Sequence, residues 1–242
     1  LLVPDEGWPG IAIVLGRGYR GIEISSAASQ DRPIQVRAGA AEPLPVLAVK
    51  LAAAAASGFA WAAAVPGTLG GAVKMNAGAH GGQMKDHLVE VDLFRLRAGL
   101  RETWTVDALG LSYRRSHLPD DGVVVSATLA LEEGDPDEVR SEIAEIRAWR
   151  RANQPLNEPN CGSVFTNPEG DSAGRLVEAA GCKGMSVGGA SISTHHANFI
   201  ITRPGTRAAD VQELIEQVRT RVAEHAGVDL RPEVVQAAAE LP

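Results

Sequence analysis

Residues 66–82, PGTLGGAVKMNAGAHGG, carry six glycines within 17 positions. Glycine and other small residues recur here too often for regular structure, so we predict an irregular loop. The stretch matches neither the Walker pattern nor GxGxxG after a strand. On composition alone a structural turn remains open. The alternative is a nest of backbone N–H groups, supported by Thr68 and Asn76, that binds an anion or a flavin pyrophosphate.

Strand-like patterns lie on both sides of this loop. The run IAIVL (11–15) predicts a buried strand, and IQVRAGA (34–40) predicts an alternating strand stopped by glycine. Further strands are predicted at 87–96, 123–131 and 197–205, with a short extended segment at 228–236.

Helical patterns alternate with these strands. Helices are predicted at 43–58, 136–152, 172–184 and 206–227. The helix at 172–184 has Ser172 as N-cap and Gly181 as stop. The apolar faces of the two long helices are Val139, Ile143, Ile146 and Trp149 in one, and Val211, Leu214, Ile215, Val218 and Val222 in the other. Together the patterns predict an α+β protein in two lobes.

Bulk properties exclude several classes of function. The chain of 242 residues carries a net charge of -7, so its field repels polyanions, and we expect no nucleic-acid partner. The apolar run at 52–65 is too short to span a bilayer, and the N-terminus lacks a signal-peptide pattern, so we expect no membrane partner. Cys161 and Cys182 show neither disulfide nor metal-ligand spacing. We therefore expect a cytoplasmic protein without a metal site.

Three further stretches carry candidate functional side chains. In YRRS (113–116) the two arginines point to opposite sides if the segment is extended, so one of them faces inward and requires a carboxylate partner; otherwise both are solvated. Ser163 lies in QPLNEPNCGSVFTNP (154–168) without a GxSxG motif or a distinctive histidine spacing, which makes a serine hydrolase the weaker hypothesis. Glu233, in RPEVV, is solvent-exposed by default.

Taken together, stretches covering nearly the whole chain resemble the UDP-N-acetylenolpyruvoylglucosamine reductase (MurB) family. They are PGTLGGAVKMNAGAHG, YRRS, QPLN followed by CGSVFTNP, AGRLVEAAGCKG, GGASIS, HANFIIT and GVDLRPEV, in that order. The resemblance implies an FAD-binding lobe of the vanillyl-alcohol-oxidase-like (PCMH-type) class and a C-terminal α+β substrate-binding lobe. The implied division is 1–134, 135–226, and a segment 227–242 that returns to the active site.

The resemblance also implies an activity. The family uses NADPH and FAD to reduce the enolpyruvyl group of UDP-N-acetylglucosamine enolpyruvate to UDP-N-acetylmuramate, a step of peptidoglycan precursor synthesis. Ser163 takes the position of the proton donor, and Arg114 and Glu233 the positions that stabilise the substrate carboxylate. The implied flavin contacts are Pro66, Gly67, Thr68, Gly70, Gly71, Asn76 and Gly78, and the implied substrate contacts are Tyr113, Gln154, Asn167, His196 and Asn198.

Some features depart from the family pattern. Thr166 stands where a lysine is usual, and His80 where a tyrosine is frequent. The family has roughly a further half-domain upstream of the segment matching LLVPDEGW. This leaves an alternative open, in which the chain is an inactive, truncated remnant that binds flavin or a UDP-sugar. We expect a monomer.

Overall fold

The computed structural model describes residues 1–25 and 33–237. The chain forms two compact units, one of residues 13–149 and the other of residues 1–12 with 150–242. Five α-helices lie in the described ranges: α1 Leu44–Ala53, α2 Leu69–Met75, α3 Pro136–Asn153, α4 Ala173–Ala179 and α5 Ala208–Ala226. The predicted division into a flavin lobe, a substrate lobe and a returning segment stays a prediction.

The described residues contain twelve strands. They are β1 Ile22–Ser25, β2 Ile34–Gly39, β3 Ala56–Ser57, β4 Gly78–Ala79, β5 Gly82–Gln83, β6 Leu88–Arg95, β7 Leu100–Thr105, β8 Gly122–Glu133, β9 Asn160–Ser163, β10 Ser186–Val187, β11 Ala190–Ile192 and β12 Phe199–Thr202. Three short 3₁₀ turns lie at Arg17–Tyr19, Ala60–Ala64 and Met84–Asp86.

The unit of residues 13–149 is built on an antiparallel sheet in the order β1-β2-β8-β6-β7, with β3 pairing to β8. Alternation along β2 buries Ile34, Val36 and Ala38 on one face. This face and its neighbours on β6 and β8 form one apolar core with the buried residues of α1 and α2. The predicted strands at 34–40, 87–96 and 123–131 are confirmed as β2, β6 and β8.

The opposite face of this sheet is polar. Asp92 accepts hydrogen bonds from Arg37, Ser126 and Thr103 across four strands. Burial raises the pKa of Asp92, but these hydrogen bonds outweigh it and hold the pKa below its ordinary value. A cavity of about 460 Å³ opens beside these side chains.

Helix α1 is shorter than its predicted range of 43–58. It begins at Leu44 after Pro43 and ends at Ala53. Ala55 then takes a left-handed conformation with φ +57°, and the chain turns into β3, which pairs with the end of β8. Helical propensity in the alanine run is weak compared with this tertiary pairing, and the pairing sets the end of the helix.

One predicted strand is absent from the structure, and one observed strand was not predicted. The run 11–15 is not a strand: Ile11 and Val14 are 87% and 88% exposed. An apolar run becomes a strand only where another strand pairs with it, and none of the described strands does so here. Strand β7 was not predicted, since its residues are mostly polar and exposed, and pairing with β6 alone defines it.

The unit of residues 1–12 and 150–242 contains the antiparallel sheet β10-β11-β12-β9, with α4 and α5. All five predicted core residues of α5 are buried, and Gly227 ends the helix in a left-handed conformation. Asp5 accepts hydrogen bonds from the N–H groups of Ala208 and Ala209 at the start of α5. This explains why the first residues belong to this unit.

Ser172 caps α4 as predicted: its hydroxyl accepts a hydrogen bond from the Arg175 N–H. The predicted strand at 197–205 is confirmed as the shorter β12. Residues 228–236 are extended and bridge to Phe165 through Pro232 and to Leu2 through Gln236. In the described part of the chain, no helix is both long and apolar enough to cross a membrane.

Candidate active site

Residues 66–82 are more regular than predicted. They contain helix α2, whose N-cap Thr68 accepts a hydrogen bond from the Gly71 N–H, followed by the hairpin of β4 and β5. The small residues are needed for packing, because a side chain on Gly70 would lie 3.0 Å from the Ala40 Cβ. Loop composition thus concealed a short helix, and the prediction of an irregular loop is wrong for residues 69–75.

Backbone N–H groups in this stretch fall into two sets. Those of Leu69 and Gly70 donate to the carbonyls of Glu42 and Ala40, so together with Gly71 they serve the fold itself. The N–H groups of Gly67 and Thr68 have no acceptor among the described residues, and the space above Gly67 is open. The turn before α2 therefore offers two N–H groups that could contribute to a nest for an anion.

Asn76 ties this stretch to the YRRS segment. It is 1% exposed, in a left-handed conformation with φ +39°. Its Nδ2 donates to the Ser112 carbonyl at 3.0 Å and to Gln83 Oε1 at 2.9 Å, and its Oδ1 accepts from the Lys85 N–H at 2.9 Å. Both ends of the amide thus bind the chain itself.

The YRRS segment is a turn. The prediction that its two arginines point to opposite sides required an extended segment, so that condition is not met. Ser112 and Arg115 exchange backbone hydrogen bonds of 3.1 Å, and Arg114 between them has φ +55°. The Arg114 guanidinium lies 5.0 Å from the centre of the Tyr113 ring, and Nη2 donates to the Gly78 carbonyl at 3.0 Å. The structure therefore brings Arg114 to the predicted flavin loop.

Trp149 was predicted to lie in the buried face of α3, but it is 48% exposed. The other predicted members of that face, Val139, Ile143 and Ile146, are buried. The Trp149 indole instead meets the His80 ring edge-on, with ring centres 5.0 Å apart. His80, with φ +49°, sits at the turn of the β4–β5 hairpin.

In the other unit, Ser163 lies at the end of β9 beside a bulge. Ser163 pairs with Phe199, whereas Asn160 pairs with Ile201, so β9 has one more residue than β12 between these pairs. Gly162, with φ +85°, provides the left-handed residue that such a bulge requires. This is the physical reason for the glycine before the serine.

Ser163 is exposed, and its hydroxyl has no hydrogen-bond partner within the described ranges. No described histidine is bonded to it, so the structure gives no support to a serine hydrolase. Glu233 reaches the same strand end through its backbone: its N–H donates to the Val164 carbonyl at 2.7 Å, next to the bridge between Phe165 and Pro232. Desolvation, the largest cause, and the negative charge of Glu233 raise the pKa of Cys161.

Asn198 and His196 lie behind the serine strand. Asn198 is 4% exposed, and its side chain makes two hydrogen bonds with the backbone of Phe165. His196 Nδ1 accepts from the Asn198 N–H at 3.2 Å, which leaves Nε2 to carry the proton of the neutral ring. Burial lowers the pKa of His196 and favours this neutral form.

The remaining predicted substrate contacts have local partners. Gln154 Oε1 accepts from Arg150 Nε at 2.9 Å. Asn167 Oδ1 accepts from the Ala173 N–H at 3.0 Å at the start of α4. Their contact with a substrate, like that of Tyr113, stays a prediction.

Sequence reasoning missed Asn160, whose Oδ1 accepts from the Gly162 N–H at 2.9 Å. The signal was present in the spacing, because an asparagine two residues before a glycine can bind the glycine N–H through its side chain.

The described residues contain no group of three or more histidine, cysteine, aspartate or glutamate side chains arranged to hold a metal ion.

Comparison with known proteins gives matches in both halves of the chain. Residues 154–237 match the family described as UDP-N-acetylenolpyruvoylglucosamine reductase, C-terminal domain, and residues 4–102 match the FAD binding domain family. The curated UDP-N-acetylenolpyruvoylglucosamine reductase of Agathobacter rectalis is 43% identical, over 97% of this chain and 76% of its own length. That of Methylorubrum extorquens is 42% identical, over 97% and 74%.

A solved structure is also similar. The crystal structure of UDP-N-acetylenolpyruvylglucosamine reductase (MurB) from Thermus caldophilus superposes with a TM-score of 0.82 at 36% identity. The similarity covers 97% of this chain and 81% of that one. Both sequence and fold thus agree with known proteins over nearly the whole chain.

Proposed function

The chain belongs to the UDP-N-acetylenolpyruvoylglucosamine reductase family, and from this premise we propose that it reduces UDP-N-acetylglucosamine enolpyruvate to UDP-N-acetylmuramate. It is an FAD-dependent oxidoreductase. NADPH is the reductant in this proposal, and the product serves peptidoglycan precursor synthesis. The observation that carries the proposal is the Ser163 hydroxyl on a glycine bulge, without a hydrogen-bond partner among residues 1–25 and 33–237 and with the Glu233 backbone bonded to the same strand end.

The turn before α2 fits a flavin cofactor. It is exposed, Gly67 has open space above it, and the N–H groups of Gly67 and Thr68 have no acceptor among the described residues. These groups suit the phosphates of FAD. FAD, when bound, would supply the hydride chemistry that connects NADPH with the enolpyruvyl group. The chain's own task is to bind the substrate and to provide the proton.

Ser163 provides this proton in the proposal. Hydride addition to the terminal carbon of the enolpyruvyl group leaves an enolate, and the carbon beside the carboxylate must then be protonated. A serine hydroxyl is a weak acid, but an enolate is a strong base, so a well-placed hydroxyl is sufficient. Because Ser163 Oγ has no partner in the described part of the chain, no hydrogen bond must be broken before it donates.

Arg114 and Glu233 stabilise the enolate in the proposal. The Arg114 guanidinium is half-buried and held by the Gly78 carbonyl, which fixes the position of a permanent positive charge. In the proposal this charge binds the substrate carboxylate. Glu233 is half-buried and is fixed through its backbone to Val164. A carboxyl group there polarises the substrate carboxylate through a hydrogen bond when it is protonated.

The test separates the two half-reactions. The FAD-loaded chain and its Ser163→Ala variant are mixed first with NADPH and then, once reduced, with the enolpyruvyl substrate, while flavin absorbance is followed. Flavin reduction should change less than about twofold, whereas reoxidation by substrate should slow about 10²–10⁴-fold, the range for a lost proton donor. Ser141→Ala, an exposed serine of α3, is the matched control and should leave both rates unchanged.

Two results would contradict this proposal. Equal slowing of both half-reactions would show that Ser163 is not the proton donor. Failure of the unchanged chain to retain FAD after desalting, or to oxidise NADPH when substrate is added, would contradict the reductase activity itself. We also propose that the protein is a cytoplasmic monomer, and light scattering of the purified chain would test the oligomeric state.

A further inference from the structure

Ser163 is placed by its backbone, because its own side chain has no partner among the described residues. Two asparagine side chains hold that backbone, Asn160 before the serine and Asn198 behind it. We call this pair the asparagine clamp. Neither member was predicted to act on the serine from the sequence: Asn160 was missed, and Asn198 was predicted to contact the substrate.

Asn198 holds the chain on the far side of Ser163. Its Oδ1 accepts from the Phe165 N–H at 2.9 Å, and its Nδ2 donates to the Phe165 carbonyl at 2.8 Å. Its backbone adds a third bond, because its carbonyl accepts from the Val164 N–H at 2.9 Å. With 4% exposure, the side chain offers almost no surface for contact with a substrate.

Asn160 holds the chain on the near side. Its Oδ1 accepts from the Gly162 N–H at 2.9 Å, and its Nδ2 donates to the carbonyls of Pro155 and Glu158 at 3.0 and 2.7 Å. The side chain thus stabilises the bulge in which Gly162 has φ +85°. Without this bond the bulge loses a partner for the N–H group directly before Ser163.

The clamp also reaches Glu233. Val164 accepts from the Glu233 N–H, and Phe165 bridges to Pro232. The residues that Asn198 fixes are therefore the same ones that carry the glutamate segment. A shift of residues 164–165 would displace Ser163 and Glu233 together.

From this geometry we propose that Asn160 and Asn198 are positioning residues that set the Ser163 hydroxyl for proton transfer, and that neither contacts the substrate. The inference rests on the proposed reductase function. A displacement of about 1 Å at a reacting group can cost about 100-fold in rate. Together with the pairing of Ser163 with Phe199 on β12, the clamp opposes such a displacement at Ser163.

The experiment uses the FAD-loaded chain with four variants, Asn198→Asp, Asn160→Ala, Asn160→Asp and Ser163→Ala. Reoxidation of the reduced flavin by substrate should slow about 10–100-fold in the Asn198→Asp and Asn160→Ala variants. The rate of flavin reduction by NADPH and the KM for the substrate should stay within about threefold. Asn160→Asp keeps the acceptor for Gly162 and should recover part of the lost rate.

The decisive measurement is a double-mutant cycle. If the clamp acts through the serine, Asn160→Ala should slow reoxidation by less than about threefold in the Ser163→Ala background. Gln217→Ala, which removes an exposed amide of α5 bonded to Glu213, is the matched control and should change nothing. Hydrogen exchange by mass spectrometry adds a readout independent of turnover: the peptide covering 162–166 should exchange faster in the Asn198→Asp and Asn160→Ala variants.

If Asn160→Ala slows reoxidation as much in the Ser163→Ala background as it does alone, the proposed positioning role of the clamp is wrong. Unchanged reoxidation in folded asparagine variants would also contradict this role, as would a rise in KM with kcat unchanged, which would indicate substrate contact. If the buried carboxylate of Asn198→Asp prevents folding, the Asn160 variants decide the question. If the reduced flavin of the unchanged chain is not reoxidised by substrate, the proposed function itself is contradicted. This result differs from a failure of the clamp, because it is seen in the chain without any substitution.

Discussion

In two regions of the molecule, the glycine-rich stretch with its YRRS turn and the strand that carries Ser163, asparagine side chains hold the backbone. The two regions differ in the polar groups that they present to solvent. Asn76 joins the glycine-rich stretch to the YRRS turn, while Asn160 and Asn198 hold the serine strand. Within the described ranges, the first region presents backbone N–H groups of Gly67 and Thr68 that have no acceptor, and the second region presents the Ser163 hydroxyl, which has no partner. The amide side chains thus build the scaffold, and other groups are left for ligands.

The physical reason is the bonding capacity of the amide. One asparagine side chain can donate and accept at the same time, so it can replace a backbone partner wherever a bulge or a turn has removed one. A hydroxyl or an N–H group that faces solvent keeps its capacity for a ligand. The two regions therefore differ in what they present, and the following predictions test that difference.

The largest effect is expected for Arg114→Ala in the first region. Loss of a fixed charge beside the substrate carboxylate should lower the rate of flavin reoxidation by substrate about 10²–10³-fold. Arg114→Lys should recover little, because an ammonium cannot reproduce the guanidinium geometry held by Gly78. Arg101→Ala, an exposed arginine of β7, is the control. Stopped-flow rates within threefold of the unchanged chain would refute this role.

Asn76 should dominate stability in the same region. Asn76→Ala removes three hydrogen bonds at a buried site and should lower the free energy of unfolding by about 2–4 kcal/mol. Asn76→Gly loses the same bonds but relieves the left-handed backbone, so it should be about 1 kcal/mol more stable than the alanine variant. Urea unfolding measures both. Equal stability of the unchanged and alanine proteins would show that the amide is not structural.

A substitution at Gly162 tests how much the bulge before Ser163, in the second region, contributes to stability. Gly162→Ala should cost about 1–2 kcal/mol of stability, because alanine is strained at φ +85° although the space around it is open. Gly67→Ala is the matched control for stability, since it also meets open space but lacks a positive φ. Thermal unfolding should show the difference as a lower Tm for the first variant only. Equal Tm values would mean that the bulge relaxes at no cost.

The smallest effect is the pH dependence of stability from His196. Burial, the largest cause, together with the nearby charges of Lys183 and His195, lowers its pKa, while Glu178 acts in the opposite direction. The unfolded chain then binds more protons than the folded one between the two pKa values, so stability is complete above about pH 6.5 and falls as pH decreases through this window. Each unit of difference between the folded and unfolded pKa corresponds to about 1.4 kcal/mol.

His196→Gln should reduce this pH slope, and His195→Gln, at the exposed neighbouring position, should leave it nearly unchanged. Urea unfolding at several pH values between 5 and 8 measures the slope. An identical slope in the His196→Gln protein would show that another group titrates instead.

Much of the regular structure follows from sequence pattern. The spacing of apolar residues predicted the buried face of α5, and local capping rules predicted that Ser172 begins α4 and that Gly227 ends α5. These features depend on residues within a few positions of one another. Ser163 and Glu233, identified by resemblance, also lie together in the structure.

The failures have a common cause. The run at 11–15 was predicted as a strand from its apolar residues, but no described strand pairs with it, whereas the polar β7 is a strand because β6 pairs with it. Trp149 fits the apolar period of α3, yet it lies half-exposed against His80. In each case a partner distant in sequence decides the outcome.

The sequence by itself determined the class of the fold, the long helices, the N-cap of α4, and the family to which the chain belongs, because these depend on local periodicity and on short motifs. Tertiary structure alone decided that Asn76 joins two distant turns, that Asn198 binds Phe165 from 33 positions away, and that the YRRS segment is a turn. Hydrogen bonds over such separations depend on how the backbone brings the segments together.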